Sequence, residues 1–83
     1  MTATNEQIVE AWNTVLFDKW IRFKHLVTVG LEPHGFAAMS RCEPKPGERF
    51  LDLGCGFGDT TFELARRVGP DGEAVGVDCA ANF

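Results

Sequence analysis

Three glycines at alternate positions constrain this chain more than any other feature of its sequence. Gly54, Gly56 and Gly58 follow a mostly apolar run at residues 50–53 and precede residues 59–61, which include side chains that cap helices. Because glycine lacks a Cβ atom, such a loop can adopt positive φ and let a ligand approach the backbone closely. The pattern predicts a strand, a glycine loop and a helix, which is how a nucleotide-binding βαβ unit begins.

A second strand is predicted at residues 73–78, with an acid at its carboxyl end. Asp78 lies twenty positions after Gly58, a distance at which an acid can accept hydrogen bonds from ribose hydroxyls. Between the strands, the sequence predicts a helix from about residue 60 to 68 and a turn at 70–72. We expect the two strands to be parallel, joined by a right-handed crossover.

The glycine spacing distinguishes between classes of nucleotide. Dinucleotide-binding folds favour G-x-G-x-x-G, in which a helix amino end faces a pyrophosphate. This chain has G-x-G-x-G, with Asp52 two residues before the first glycine. A carboxylate there favours a ligand that carries an ammonium group and repels a pyrophosphate.

At these residues the chain resembles the class I S-adenosylmethionine-dependent methyltransferases. The segment from Lys45 to Gly58 is similar to the first motif of that family with its lead-in, and Val75 to Asp78 is similar to the second. The resemblance covers about residues 44–83. It implies S-adenosyl-L-methionine as cofactor and transfer of its methyl group to an acceptor atom, with a small-molecule acceptor as the expected partner.

The resemblance also implies a set of cofactor-binding residues: Asp52, Gly54, Cys55, Gly56, Gly58, Asp78 and Cys79. Alternatives remain open: the glycines could merely shape a turn, Asp52 could bond to backbone amides near the loop, and Asp78 could cap the next segment. The thiols of Cys55 and Cys79 are not expected to be nucleophiles. No catalytic residue is assigned, because base and acceptor-binding groups would lie beyond Phe83 or in the helical half.

The first half of the chain is predicted to be helical. Thr4 to Gln7 form a capping-box pattern, and a helix is expected from about residue 5 to 29, with a break near Asn13-Thr14 and an end at Gly30. A second helix is expected from Pro33 to Arg41. The chain is therefore divided into a helical segment, 1–43, and the start of an S-adenosylmethionine-binding domain, 44–83.

Aromatic and histidine side chains in the helical half have two interpretations each. Four aromatic residues could either form a core or line a substrate pocket. They are Trp12, Phe17, Trp20 and Phe23. His25 and His34 lie nine apart without a carboxylate or cysteine at ligand spacing. A surface or capping role fits them better than a metal site, and no metal is expected.

The composition gives no sign of a nucleic-acid partner or a membrane span. The 83 residues carry 8 Lys and Arg against 12 Asp and Glu, a net charge of −4, which offers no basic footprint for nucleic acid. Three cysteines without a C-x-x-C pair indicate reduced thiols rather than a disulfide framework or a zinc site. No secretory leader and no apolar run of roughly 18 residues is visible. We expect a cytoplasmic protein.

The expected fold class is α/β: amino-terminal helices followed by the first β-α-β unit of a Rossmann-like methyltransferase sheet. That sheet would be incomplete, because the family has seven strands and this chain has room for two, which suggests an amino-terminal piece of an enzyme. Two other functions stay open, an NAD(P)- or FAD-binding oxidoreductase fragment and a non-catalytic interaction module. The acceptor and the oligomeric state are not indicated.

Overall fold

The structure, a computed structural model, describes the backbone of residues 2–83 and the side chains of residues 5–83. Its elements follow in the order α1 (Thr2–Asn13), α2 (Val15–Cys42), β1 (Arg49–Leu53), α3 (Asp59–Val68) and β2 (Glu73–Val77). Helices thus precede one β-α-β unit, which confirms the predicted α/β fold class and its incomplete sheet.

The two strands form a parallel pair. Arg49 lies opposite Glu73 at one end of the ladder, and Leu53 lies opposite Val77 at the other. Because the strands run the same way and end together, the glycine loop after β1 and the acid after β2 leave the sheet at the same edge. The predicted strand positions and the parallel pairing are confirmed.

Helix α3 lies against the sheet through its apolar stripe. Leu64 and Val68 are buried, with 7% and 1% of their surface exposed. The helix begins after Gly58, whose φ is 89°, and is capped at its carboxyl end by Gly69, whose N–H donates to the Ala65 carbonyl at 3.2 Å. The predicted helix is confirmed to within one residue.

The helical half departs from the prediction at two points. The break at Asn13-Thr14 is confirmed, but α1 begins at Thr2, so Thr4 lies within the helix rather than at its cap. Its side chain is outside the described part, and the predicted capping box is wrong because the helix starts before it.

The expected end at Gly30 is also wrong, since α2 runs on through Gly30 and Pro33 to Cys42. Glycine and proline weaken a helix by about 1 and 3 kcal/mol respectively. Helix propagation on both sides and burial of Met39, which is 8% exposed, hold α2 together past these residues. No helix within residues 2–83 combines the length and apolar character needed to cross a membrane.

One face of the sheet is open. Leu51 and Leu53 are 62% and 74% exposed, and their register partners Val75 and Val77 are 42% and 43% exposed. Side chains at alternate positions of paired strands share a face, so these four residues form one apolar surface, which we call the open face. Parallel sheets are usually covered on both faces. In the described chain, α3 covers only the other one.

Candidate functional site

The glycine loop has a backbone shape that other residues rarely adopt. The φ angles of Gly54, Gly56 and Gly58 are 72°, 54° and 89°, all in the left-handed region. The N–H groups of Gly54 and Cys55 both donate to the Val77 carbonyl, at 2.8 and 3.0 Å. The loop is therefore tied to the carboxyl end of the neighbouring strand.

Asp78 joins the second motif to the first. One carboxylate oxygen, Oδ2, accepts from the Gly56 N–H at 2.9 Å across 22 positions of sequence, and Oδ1 accepts from the Ala80 N–H at 2.9 Å. Asp78 therefore holds the glycine loop and also caps the segment that follows it. Because a carboxylate oxygen can accept two hydrogen bonds, each one can take a further donor. The role in ribose binding stays a prediction.

Asp52 connects β1 to α3. Its Oδ2 accepts from the Thr61 hydroxyl at 2.7 Å, and the side chain is half-buried. The observed hydrogen-bond partner of Asp52 is thus a hydroxyl on the first turn of the helix and not a backbone amide. Asp52 also does not line the pocket described below. The sequence held a signal for this partner, a hydroxyl residue just after the glycine loop, where a hydroxyl was predicted only as a helix cap.

A substitution at Thr61 separates the structural role of Asp52 from a ligand-binding one. Thr61→Val removes the hydroxyl while keeping the shape, and we expect the free energy of unfolding of the intact protein to fall by about 1–2 kcal/mol. Thr60→Val is the matched control for stability, since Thr60 is exposed next to it. Urea denaturation measures both variants. Equal stabilities, with weaker ligand binding in Thr61→Val than in the wild type, would instead place Asp52 at the ligand.

A pocket of about 1140 Å³ lies between α2 and the glycine loop. Five of the seven predicted cofactor-binding residues line this pocket: Gly54, Cys55, Gly56, Asp78 and Cys79. Asp52 and Gly58 are not among the lining residues. The pocket is at or above the upper end of the volumes usual for small-molecule sites, so it has room for a nucleoside and more.

The opposite wall of the pocket comes from the helical half, whose aromatic residues the sequence offered as pocket lining, but whose aliphatic side chains on α2 it did not. This wall is formed largely by residues spread over about three turns of α2: Val27, Leu31, Phe36 and Met39. Trp12 and Trp20 also line the pocket and contact each other edge to face, with ring centroids 5.7 Å apart. These two tryptophans therefore both pack against each other and line the pocket, as the two alternatives proposed. Phe23 does neither: it is 48% exposed and does not line the pocket.

The charged groups around the pocket are mainly acidic. Among the described residues, the pocket is lined by one guanidinium, that of Arg66, and by four carboxylates. These carboxylates are those of Glu32, Asp59, Glu63 and Asp78. Hydrogen bonds from Arg66 and then Arg67 lower the pKa of Glu63 to about 2, so this carboxylate stays ionised near neutral pH. The balance favours a ligand with positive charge over a pyrophosphate.

The remaining candidate residues have surface positions or weak contacts. Cys55 is half-buried, with its Sγ 3.7 Å from the Gly56 carbonyl oxygen, while Cys79 is exposed. All three cysteines are free thiols. His25 and His34 are exposed on α2. Within residues 5–83, no three histidine, cysteine or acidic side chains are grouped so that they could hold a metal ion.

Comparison with known proteins assigns this arrangement to a family. Residues 44–82 match a family model described as a methyltransferase domain. The chain is 58% identical over 39 residues to a 2-phytyl-1,4-naphtoquinone methyltransferase of Trichormus variabilis, covering 47% of this chain and 17% of that protein. It is 35% identical over 87 residues to a demethylmenaquinone methyltransferase of Lactococcus lactis, covering 100% of this chain and 33% of that protein.

A third relative is a nocamycin O-methyltransferase of Saccharothrix syringae, 53% identical over 38 residues that cover 46% of this chain and 14% of that protein. The chain therefore spans a third or less of the length of these relatives. No solved structure gives a significant match. Residues 44–82 of this chain thus match the methyltransferase-domain family, which confirms the family resemblance that the sequence motifs carried.

Proposed function

We propose that this chain provides the methyl-donor site of an S-adenosylmethionine-dependent methyltransferase that acts on a small-molecule acceptor. The observation that carries the proposal is the hydrogen bond from the Gly56 N–H to the Asp78 carboxylate, 2.9 Å long. It joins the glycine backbone and an acid at the edge of one pocket, where a ribose and the groups attached to it could be held together. The methyltransferase relatives support the same function.

The residues of the pocket fit this cofactor. A Cβ atom built on Gly54 would meet no described atom within 4 Å, so the loop backbone faces open space there. Each oxygen of Asp78 can accept one more hydrogen bond, which suits the two adjacent hydroxyls of a ribose. The acidic lining suits the sulfonium and ammonium groups of S-adenosylmethionine. The same lining disfavours the pyrophosphate of NAD or FAD, the cofactors of the alternative oxidoreductase.

When bound, S-adenosylmethionine supplies an activated methyl group on its sulfonium. The described residues contribute to methyl transfer mainly by binding and orientation, since correct alignment of two reactants removes much of the entropic barrier. In this proposal Asp78 orients the ribose, and the backbone at Gly54 and Gly56 allows the cofactor to lie close to the loop. No described residue is assigned as a general base.

The apolar wall of the pocket suggests the chemistry of the acceptor. Leu31, Phe36 and Met39 face the site from α2, and the pocket has more volume than a nucleoside fills. Two of the relatives carry names that specify quinone-like acceptors. We extend this to a small apolar acceptor here, with no nucleic acid or membrane as partner. A cytoplasmic location is part of the proposal, since the cysteines are free thiols.

Asp78→Ala tests the donor site against the oxidoreductase alternative. In the intact protein that contains this chain, we expect S-adenosylhomocysteine binding to weaken by about 1.5–3 kcal/mol, because hydrogen bonds to a charged acceptor are lost. Isothermal titration calorimetry measures the affinity, and Asp71→Ala, an exposed turn position, is the matched control. NADH should give no saturable signal. Binding of NADH without binding of S-adenosylhomocysteine would establish the oxidoreductase instead.

A further inference from the structure

The segment that follows β2 carries part of the pocket and is held against the rest of the protein. Asp78, Cys79 and Phe83 line the pocket, and Ala80 between them is 3% exposed. The Phe83 N–H donates to the Ala80 carbonyl at 3.2 Å. Residues 78–83 therefore form a short folded segment, which we call the donor segment, rather than an extended tail.

Two hydrogen bonds join the donor segment to the junction between α1 and α2. The Asn82 N–H donates to Oδ1 of Asn13 at 3.0 Å, and the Asn82 side-chain amide donates to the Asn13 carbonyl at 2.6 Å. The two residues are 69 positions apart. Asn13 is the last residue of α1, where a helix leaves carbonyl groups without intrahelical partners. The helix break thus presents two acceptor oxygens of Asn13 to two donors of Asn82 in the donor segment.

Aromatic rings surround this contact and extend it to the glycine loop. Phe83 packs on Phe17 and Phe57, with ring centroids 5.0 and 4.8 Å apart. Trp12, the neighbour of Asn13, lies 6.2 Å from the Phe83 ring. Phe17 on α2 also lies 6.2 Å from the ring of Phe57, which belongs to the glycine loop. Helical side chains near the junction therefore contact both sequences that form the donor site.

We propose that Asn13 is a positioning residue for methyl-donor binding, acting through Asn82 on the donor segment and on the Asp78–Gly56 hydrogen bond. The inference rests on the proposed function. Without the Asn13 side chain, the segment would sample arrangements in which Asp78 is displaced from the loop. Affinity falls in proportion to the fraction of molecules that keep the competent arrangement.

The test uses S-adenosylhomocysteine and the intact protein. Asn13→Ala removes the acceptor of the Asn82 N–H, and we expect roughly threefold to tenfold weaker binding by isothermal titration calorimetry. Asn13→Asp keeps an acceptor oxygen, so its affinity should return to within about twofold of the wild type. Thr14→Ala is the matched control, because the Thr14 hydroxyl bonds the Glu10 carbonyl at the same junction, 2.8 Å away, and its affinity should not change.

Amide hydrogen exchange of the ligand-free protein provides a second readout. Exchange at Gly56 and Ala80, whose N–H groups bond Asp78, should be faster in Asn13→Ala and unchanged in Thr14→Ala. Equal affinity and exchange for wild type and Asn13→Ala would overturn the positioning role alone. The same loss in Asn13→Ala and Thr14→Ala would overturn it too, since that indicates general destabilisation. Absence of binding by the wild type would overturn the proposed function first, and with it the role of Asn13.

Discussion

Gly56→Val in the intact protein is expected to abolish binding of S-adenosylhomocysteine while the circular dichroism spectrum stays native-like. Gly56 has a φ of 54°, and a Cβ atom there would lie 3.7 Å from Cδ1 of Phe83. A valine would place its two methyl groups at the edge of the pocket and strain the loop, at a cost of about 1–3 kcal/mol. Its bulk would also disturb the hydrogen bond from this residue to Asp78. Isothermal titration calorimetry measures the loss.

Gly47→Val is the control for backbone strain. Gly47 has a φ of 88°, a Cβ atom there would meet no described atom within 4 Å, and it is not a pocket residue. Its valine variant has a comparable backbone penalty away from the site, so it should still bind. Unchanged affinity in Gly56→Val would count against the glycine loop as the cofactor cradle. Equal loss in both variants would assign the effect to stability.

Residues 1–83 on their own are expected to show no cooperative thermal transition and no methyl transfer. The accessible surface of the chain is 6339 Å². A compact protein of 9.1 kDa exposes about 4,900 Å². Among residues 5–83 the buried apolar side chains are few: Met39, Leu64, Val68 and Ala80. The burial available is small against an ordering cost of about 1.5 kcal/mol per residue, so we expect a molten or oligomeric species with helix in residues 5–42.

Association should occur through the open face and the strand edges, which are unpaired apart from the β1–β2 ladder in the described residues. Leu53 is 74% exposed, the most of the four residues of this surface, so Leu53→Lys should lower the mass measured by light scattering without restoring a cooperative melt. Thermal circular dichroism of the wild-type chain is the main measurement. A monomer with a sharp melt and micromolar affinity for S-adenosylhomocysteine would contradict this expectation.

The division of the chain into segments 1–43 and 44–83 stays a prediction. Contacts between the two segments suggest a way to test it. Asn13 and Trp12 from the first segment contact Asn82 and Phe83 from the second. If the two segments were independent, removal of the helices would leave donor binding intact. The positioning role proposed for Asn13 requires the opposite result.

The sequence by itself determined the parts of this protein that depend on local chemistry. Alternating glycines require positive φ, and a short apolar run followed by such a loop favours a strand that leads into a helix. These local rules located β1, α3 and β2, and they placed Asp78 at the sheet edge beside the loop. The family assignment follows from the same residues, because its motifs lie within one continuous stretch, 45–78.

Only the tertiary structure decided which distant side chains meet. It gave Asp52 a hydroxyl partner on α3, joined Asn13 to Asn82, and placed α2 along the pocket. It also carried α2 through Gly30 and Pro33, where local propensity predicted an end. The physical reason is the same in each case. Packing and hydrogen bonds between residues far apart in sequence depend on how whole elements are arranged, and those energies can exceed the roughly 1–3 kcal/mol preferences that a local pattern expresses.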